Sequence, residues 1–231
     1  MDMRATPTPP TQFLAETHEV INVSSELQDY NLYATDTALR EAVAREGAPW
    51  AESELNEFGA HVGTAEYLEL GALANRFQPE LDTHDRFGNR VDLVKFHPAY
   101  HALMKTALEN GLHSSPWSDP QPGAHVARAA KSYMHSQVEA GHGCPITMTF
   151  AVVPALRVQA DLAAQWEPLI TARHYDPRNV PAEQKSGITV GMAMTEKQGG
   201  SDVRANTTRA CPVGAAGPGQ AYELVGHKYF V

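Results

Sequence analysis

Cysteine is almost absent: the 231 residues hold two, Cys144 and Cys211, far apart and in no metal-like spacing. That argues against a disulfide framework and fits a reducing, cytoplasmic compartment. Long apolar runs are missing as well, so no stretch reads as a bilayer span and no membrane partner is expected. The opening MDMRATPTPPTQ carries one arginine and no apolar centre, so it is not expected to act as a secretory leader. Basic charge is scarce: 18 Lys and Arg face 27 Asp and Glu, for a net charge of −9, and that disfavours a nucleic-acid face in this chain. No Gly-x-Ser-x-Gly elbow, Gly-x-x-x-x-Gly-Lys loop or Gly-x-Gly-x-x-Gly fingerprint occurs. With 42% hydrophobic and 19% charged residues, the composition is that of a globular protein able to bury a sizeable core.

Read in order, residues 1–35 form an irregular lead with a short extended piece at Glu19–Val23. Thr35-Asp36 caps a helix that ends before Gly47. Pro49 and Ser53 open a second helix, with Leu55, Phe58 and Val62 on one stripe. Thr64 begins a third, carrying Leu68, Ala72 and Asn75 and stopping before Pro79. Leu81–Val94 is polar and turn-rich, with a small turn at Phe87-Gly88-Asn89. Pro98 suits a first helical position, and Leu103, Met104, Ala107 and Leu108 continue the apolar face until Asn110-Gly111. His113–Gly123 is a proline-rich loop. Ala124–Ala140 repeats Val126, Ala130, Tyr133, Met134 and Val138 at helical spacing. Ile146–Leu156, apolar nearly all round, predicts a helix buried in the centre of a bundle, with Pro154 kinking or ending it. Beyond the polar linker His174–Lys185 the character changes to short strands: Ile188–Thr195, Asn206–Val213, Ala221–Val225 and Lys228–Val231. The fold expected is mainly α with a following β segment, divided into 1–35, 36–185 and 186–231.

His97 and His101 stand at i, i+4, a spacing that could face one metal, but no third ligand is nearby and capping or surface roles fit better. His142 and Cys144 flank a glycine at a helix start, and neither is assigned catalysis. No metal site is expected. Chemistry concentrates instead in Gly191–Arg209. There an alternating apolar run breaks into Gln198-Gly199-Gly200-Ser201-Asp202, a turn whose amides can form an anion nest. Thr195 and Ser201 add hydroxyls. A donor, an apolar wall and a nest suit a ligand that is flat at one end and phosphorylated at the other.

The same residues, Thr195-Glu196-Lys197-Gln198-Gly199-Gly200-Ser201-Asp202, resemble the flavin-binding signature of the acyl-CoA dehydrogenase family. The longer TEKQGGSDVRxNTTRA form resembles its AidB-type alkylation-response branch. Asn31-Leu32-Tyr33, Arg45-Glu46-Gly47-Ala48, Gly63-Thr64-Ala65-Glu66, Phe96-His97-Pro98-Ala99, Gln137-Val138-Glu139-Ala140-Gly141 and Cys144-Pro145-Ile146-Thr147-Met148-Thr149-Phe150 extend the likeness from about Asn31 to Val231.

The resemblance implies a helical N-terminal domain followed by the first strands of a middle β-domain, with FAD as cofactor. It implies contacts from Met192, Ala193, Met194, Thr195, Glu196, Lys197, Gln198, Gly199, Gly200 and Ser201. Phe230 and Val231 would be the first residues of a second contact, in a Gly-x-Lys-x-Trp-like stretch where Tyr229 replaces the tryptophan. Intact relatives would be homotetramers that protect DNA from alkylation and bind double-stranded DNA through a C-terminal helical bundle, with at most weak oxidation of an isovaleryl-CoA-like thioester. That bundle, with its catalytic carboxylate, is not in these residues, so no catalytic residue is assigned and enzymatic activity is left open. The half-formed sheet is expected to hold FAD weakly or not at all. A non-catalytic helical remnant acting as an interaction module is the alternative.

Overall fold

The computed structural model describes residues 21–229, so Phe230, Val231 and part of the expected Glu19–Val23 extension lie outside the described residues. Among the described residues, eight α-helices are the main elements: α1 (Thr37–Arg45), α2 (Glu52–Val62), α3 (Ala65–Arg76), α4 (Pro98–Glu109), α5 (Ser115–Ser118), α6 (Ala124–Val138), α7 (Gly143–Leu156) and α8 (Ala160–Ile170). Two antiparallel hairpins complete it, β1 (Glu80–His84) with β2 (Arg90–Lys95) and β3 (Arg209–Pro212) with β4 (Tyr222–Val225).

Local chemistry sets the helix starts. The Asp36 carboxylate accepts from Leu39 N–H at 2.8 Å and the Thr64 hydroxyl from Tyr67 N–H at 3.2 Å, each satisfying an orphan donor of the first turn. Gly47 and Gly111, at φ +88° and +68°, follow the ends of α1 and α4 in the left-handed conformation that suits glycine. Leu55, Phe58 and Val62 of α2 meet Leu103, Met104, Ala107 and Leu108 of α4 and Met134 of α6 in one buried cluster. α3 turns a different face inward from the one expected: Tyr67 and Gly71 are buried, whereas Ala72 and Asn75 are exposed. Gly71 is small enough to let the α6 terminus come close, since a Cβ there would lie 2.3 Å from the Val138 carbonyl oxygen.

Several stretches depart from the sequence reading in type: the expected loop His113–Gly123 holds the short helix α5, and the described residues of the expected strand Lys228–Val231 lie in no strand. Leu81–Val94 is a hairpin, with Leu81 opposite Val94 and Asp82 opposite Leu93. Its turn is built by Asp85, whose Oδ1 accepts from Phe87 and Asn89 N–H, and by Gly88 at φ +84°. Ile188–Thr195 is not a strand, because no ladder partner lies beside it among the described residues. It is pinned to helices instead: Ile188 N–H donates to the Leu169 carbonyl and Val190 N–H to the Thr149 hydroxyl. α7 is peripheral rather than central, burying only Ile146, Thr149 and Val153. No described helix is long and apolar enough to cross a membrane.

Candidate functional site

Gly191–Ser201 leaves α7 where Met192 N–H approaches the Met148 sulfur at 3.2 Å, and Met192 and Met194 stay 53% and 45% exposed, an apolar strip open to a ligand. The chain then folds into a tight turn: Glu196 and Gly199 exchange backbone hydrogen bonds at 2.9 and 3.0 Å. Gly199 is obligatory there, because a Cβ would meet the Asn206 Oδ1 at 2.3 Å and the Asp202 carbonyl at 2.9 Å.

Glu196 holds this turn. Its side chain is 1% exposed, and its two oxygens accept from Thr207 N–H (2.9 Å), Thr208 N–H (3.1 Å), the Thr208 hydroxyl (2.5 Å), the Gln198 amide (2.5 Å) and Lys228 Nζ (2.9 Å). The Thr207 amide, the Thr208 hydroxyl and the Lys228 ammonium together hold its carboxyl far below the usual carboxylate range, against the opposing effect of burial. Tyr229 N–H donates to the Thr195 carbonyl at 2.8 Å, and Lys197 N–H to His227 Nε2 at 3.3 Å, so residues 227–229 are laid beside the turn.

The ten described residues expected to contact the cofactor thus divide by what they do. Glu196 and Gln198 are spent inward on the knot. Among the described residues, the Thr195 and Ser201 hydroxyls and the Gly200 and Ser201 amides make no hydrogen bond. Open donors beside an apolar strip match a ligand with a flat ring and negatively charged oxygens.

A second polar cluster, of which the sequence reading weighed only His142, lies inside the bundle. Tyr67 Oη meets His135 Nε2 at 2.7 Å, His135 Nδ1 meets His142 Nε2, and His142 Nδ1 meets Glu139 Oε2 at 2.5 Å. All four residues are buried. With both imidazoles neutral, every contact is satisfied when Tyr67 donates to His135, His135 through Nδ1–H to His142, and His142 through Nδ1–H to an ionised Glu139. Burial supports it by lowering both imidazoles, the His142 one despite its bond to Glu139. His97 and His101 do not converge: His97 Nδ1 caps α4 by accepting from Ala99 N–H, while His101 Nδ1 contacts the Tyr175 hydroxyl at 2.6 Å. Among the described residues no group of His, Cys, Asp and Glu could hold a metal.

Residues 22–177 match the profile of the adaptive response protein AidB N-terminal domain. AidB of Escherichia coli (strain K12) is 49% identical over 217 residues, covering 93% of this chain and 39% of its own length. Acyl-CoA dehydrogenase family member 11 of Caenorhabditis elegans is 28% identical over 201 residues, covering 84% of this chain and 31% of its own. Among solved structures, Bd2924 in its apo form superimposes with a TM-score of 0.72 at 26% identity, over 90% of this chain and 41% of that one. Caenorhabditis elegans ACDH-11, in complex with C11-CoA, gives 0.71 at 25% identity, over 93% and 36%. The chain spans less than half the length of each of these relatives.

Proposed function

The chain belongs to the AidB branch of the acyl-CoA dehydrogenase family, and from that premise we propose that Met192–Ser201 is the flavin-facing part of an FAD site. FAD, when bound, supplies the two-electron chemistry that oxidises an acyl thioester. The protein's part is binding and polarity. Met192 and Met194 offer an apolar strip to the ring, and the Thr195 hydroxyl offers a donor at its edge. The Gly200 and Ser201 amides with the Ser201 hydroxyl face phosphate oxygens. The resemblance also assigns Phe230 and Val231 to the cofactor; both lie outside the described residues. The observation that carries this reading is selective satisfaction: Glu196 is saturated, yet the hydroxyls and amides on either side of it are open.

Residues 36–185 are proposed as the helical domain and 186–231 as the opening of the β-domain. Slow acyl-CoA oxidation, tetramer assembly, binding of double-stranded DNA and protection against alkylation are assigned to longer relatives. No carboxylate in this chain is assigned as a base. Quenching of flavin fluorescence by the 231-residue chain tests the site. We expect weak, saturable binding that Thr195→Ala and Ser201→Ala each weaken by about tenfold, the scale of one hydrogen bond to a charged or strongly polar group. Unchanged affinity in both variants rejects the assignment, and no saturable quenching shows that these residues alone do not hold FAD.

A further inference from the structure

A cavity of about 550 Å³ opens between β2, the start of α4 and the segment 175–189, and its lining ends at Thr189, before the flavin strip begins. That volume lies in the range of roughly 300–1,000 Å³ typical of small-molecule sites. Its wall is aromatic. Phe96 stacks on Tyr100 with ring centroids 4.2 Å apart and meets His101 edge-on at 6.0 Å, and Tyr175 closes onto His101 through the 2.6 Å contact. Met104 and Leu108, both buried, form an apolar base.

The charges are uneven. Lys95 is paired with Asp82, and Arg178 with Asp176 at 2.6 Å. The other lining carboxylate, Asp92, is taken by Arg90 at 2.7 Å. Lys185 is half-buried at the lining; its backbone N–H donates to the Ala182 carbonyl at 3.1 Å, while its ammonium has no hydrogen bond or ion pair among the described residues. Burial lowers the His101 imidazole, so it adds no charge at neutral pH. In a chain of net charge −9, the cavity therefore presents one uncommitted ammonium beside flat apolar faces.

We infer that this cavity binds a small aromatic carboxylate, its ring against Phe96, Tyr100 and Tyr175 and its carboxylate on Lys185. The site stands apart from the flavin reading and needs no flavin. Its probe is 2-naphthoate, titrated into the 15N-labelled 231-residue chain, with 2-naphthamide as the neutral counterpart. Saturable shifts are expected at the amides of Tyr100, His101, Tyr175 and Lys185, with the amide analogue about tenfold weaker, the scale of one charge-assisted bond. Lys185→Gln removes that preference and leaves naphthamide binding unchanged, which also reports that the cavity is intact. Arg45→Gln, on the exposed end of α1, leaves both affinities unchanged. Shifts centred elsewhere, no saturation at about 10 mM, equal affinity for the two probes, or an equal loss in the Arg45 variant overturns the inference.

Discussion

Glu196 and Thr195 are adjacent in sequence and opposite in use. One carboxylate takes donors from three separate stretches, at Gln198, Thr207-Thr208 and Lys228, so it closes the turn that keeps Thr195 and Ser201 facing outward. Glu196→Gln keeps the shape but puts an NH₂ against donors and leaves Lys228 without its counter-charge. The expected result is faster amide exchange at Thr207 and Thr208, together with weaker flavin binding. The pH dependence follows from the lowered carboxyl. Below the ordinary carboxylate range, near 4.3, the unfolded chain takes up the proton first. The stabilisation is therefore complete above that range and is lost as pH falls toward the folded value. Unaltered exchange at both threonines in the variant, measured at neutral pH, would remove Glu196 from this role.

At the scale of elements, the packing of α2 depends on two glycines. Leu32 N–H donates to the Gly59 carbonyl and Tyr30 N–H to the Gly63 carbonyl, so residues 30–33 lie directly on the helix and bring Leu32 and Tyr33 into the core. A Cβ on Gly63 would sit 1.8 Å from the Tyr30 carbonyl oxygen. Gly63→Ala should therefore cost about 1–3 kcal/mol in urea unfolding, as overpacking does. Gly143→Ala in α7, where a Cβ meets nothing within 4 Å, should be neutral or slightly stabilising. Equal midpoints for the two variants would show that the 30–33 segment can move aside at no cost.

These contacts also mark what could be read in advance. Caps such as Asp36 and Thr64, and stripes such as Leu55, Phe58 and Val62, are local patterns and appear where expected. The docking of residues 30–33 is not local, since it depends on glycines about 30 positions away. The β1–β2 hairpin escaped because its strands are short, polar and almost wholly exposed, so the brief alternation of Leu81 with Thr83 and Val91 with Leu93 was outweighed by the turn residues between them. Ile188–Thr195 misled for the converse reason. It alternates like a strand, but its amides are bound by α7 and the end of α8 instead of by a ladder. At the candidate site the residue types were legible, and the inward turn of Glu196 was not, because its donors come from stretches up to 32 positions apart.

Over the whole molecule, burial is distributed unevenly. The core joins α1, α2, α3, α4, α6 and α7 through residues such as Val43, Leu55, Leu103, Leu108, Met134 and Ile146. All eight residues of β3 and β4, in contrast, are exposed, and Tyr222, Leu224 and Val225 offer their side chains to water along with Met192 and Met194. What holds residues 188–229 is a few hydrogen bonds to α7 and α8 and the knot at Glu196. Regions with so few buried apolar contacts open at a fraction of the global unfolding free energy. Native-state amide exchange should therefore resolve two levels. Amides in α2, α4 and α6 should exchange only through global unfolding, with a strong denaturant dependence. Those of β3 and β4 should exchange through local opening that is nearly denaturant-independent. If further chain covers that apolar surface in a longer relative, the β3–β4 amides there should rise toward the helical level. If the isolated chain already shows a single level, the two parts unfold as one unit. The exposed strip at Met192–Met194 would then be a rigid surface in its own right, ready to bind flavin without help from further chain.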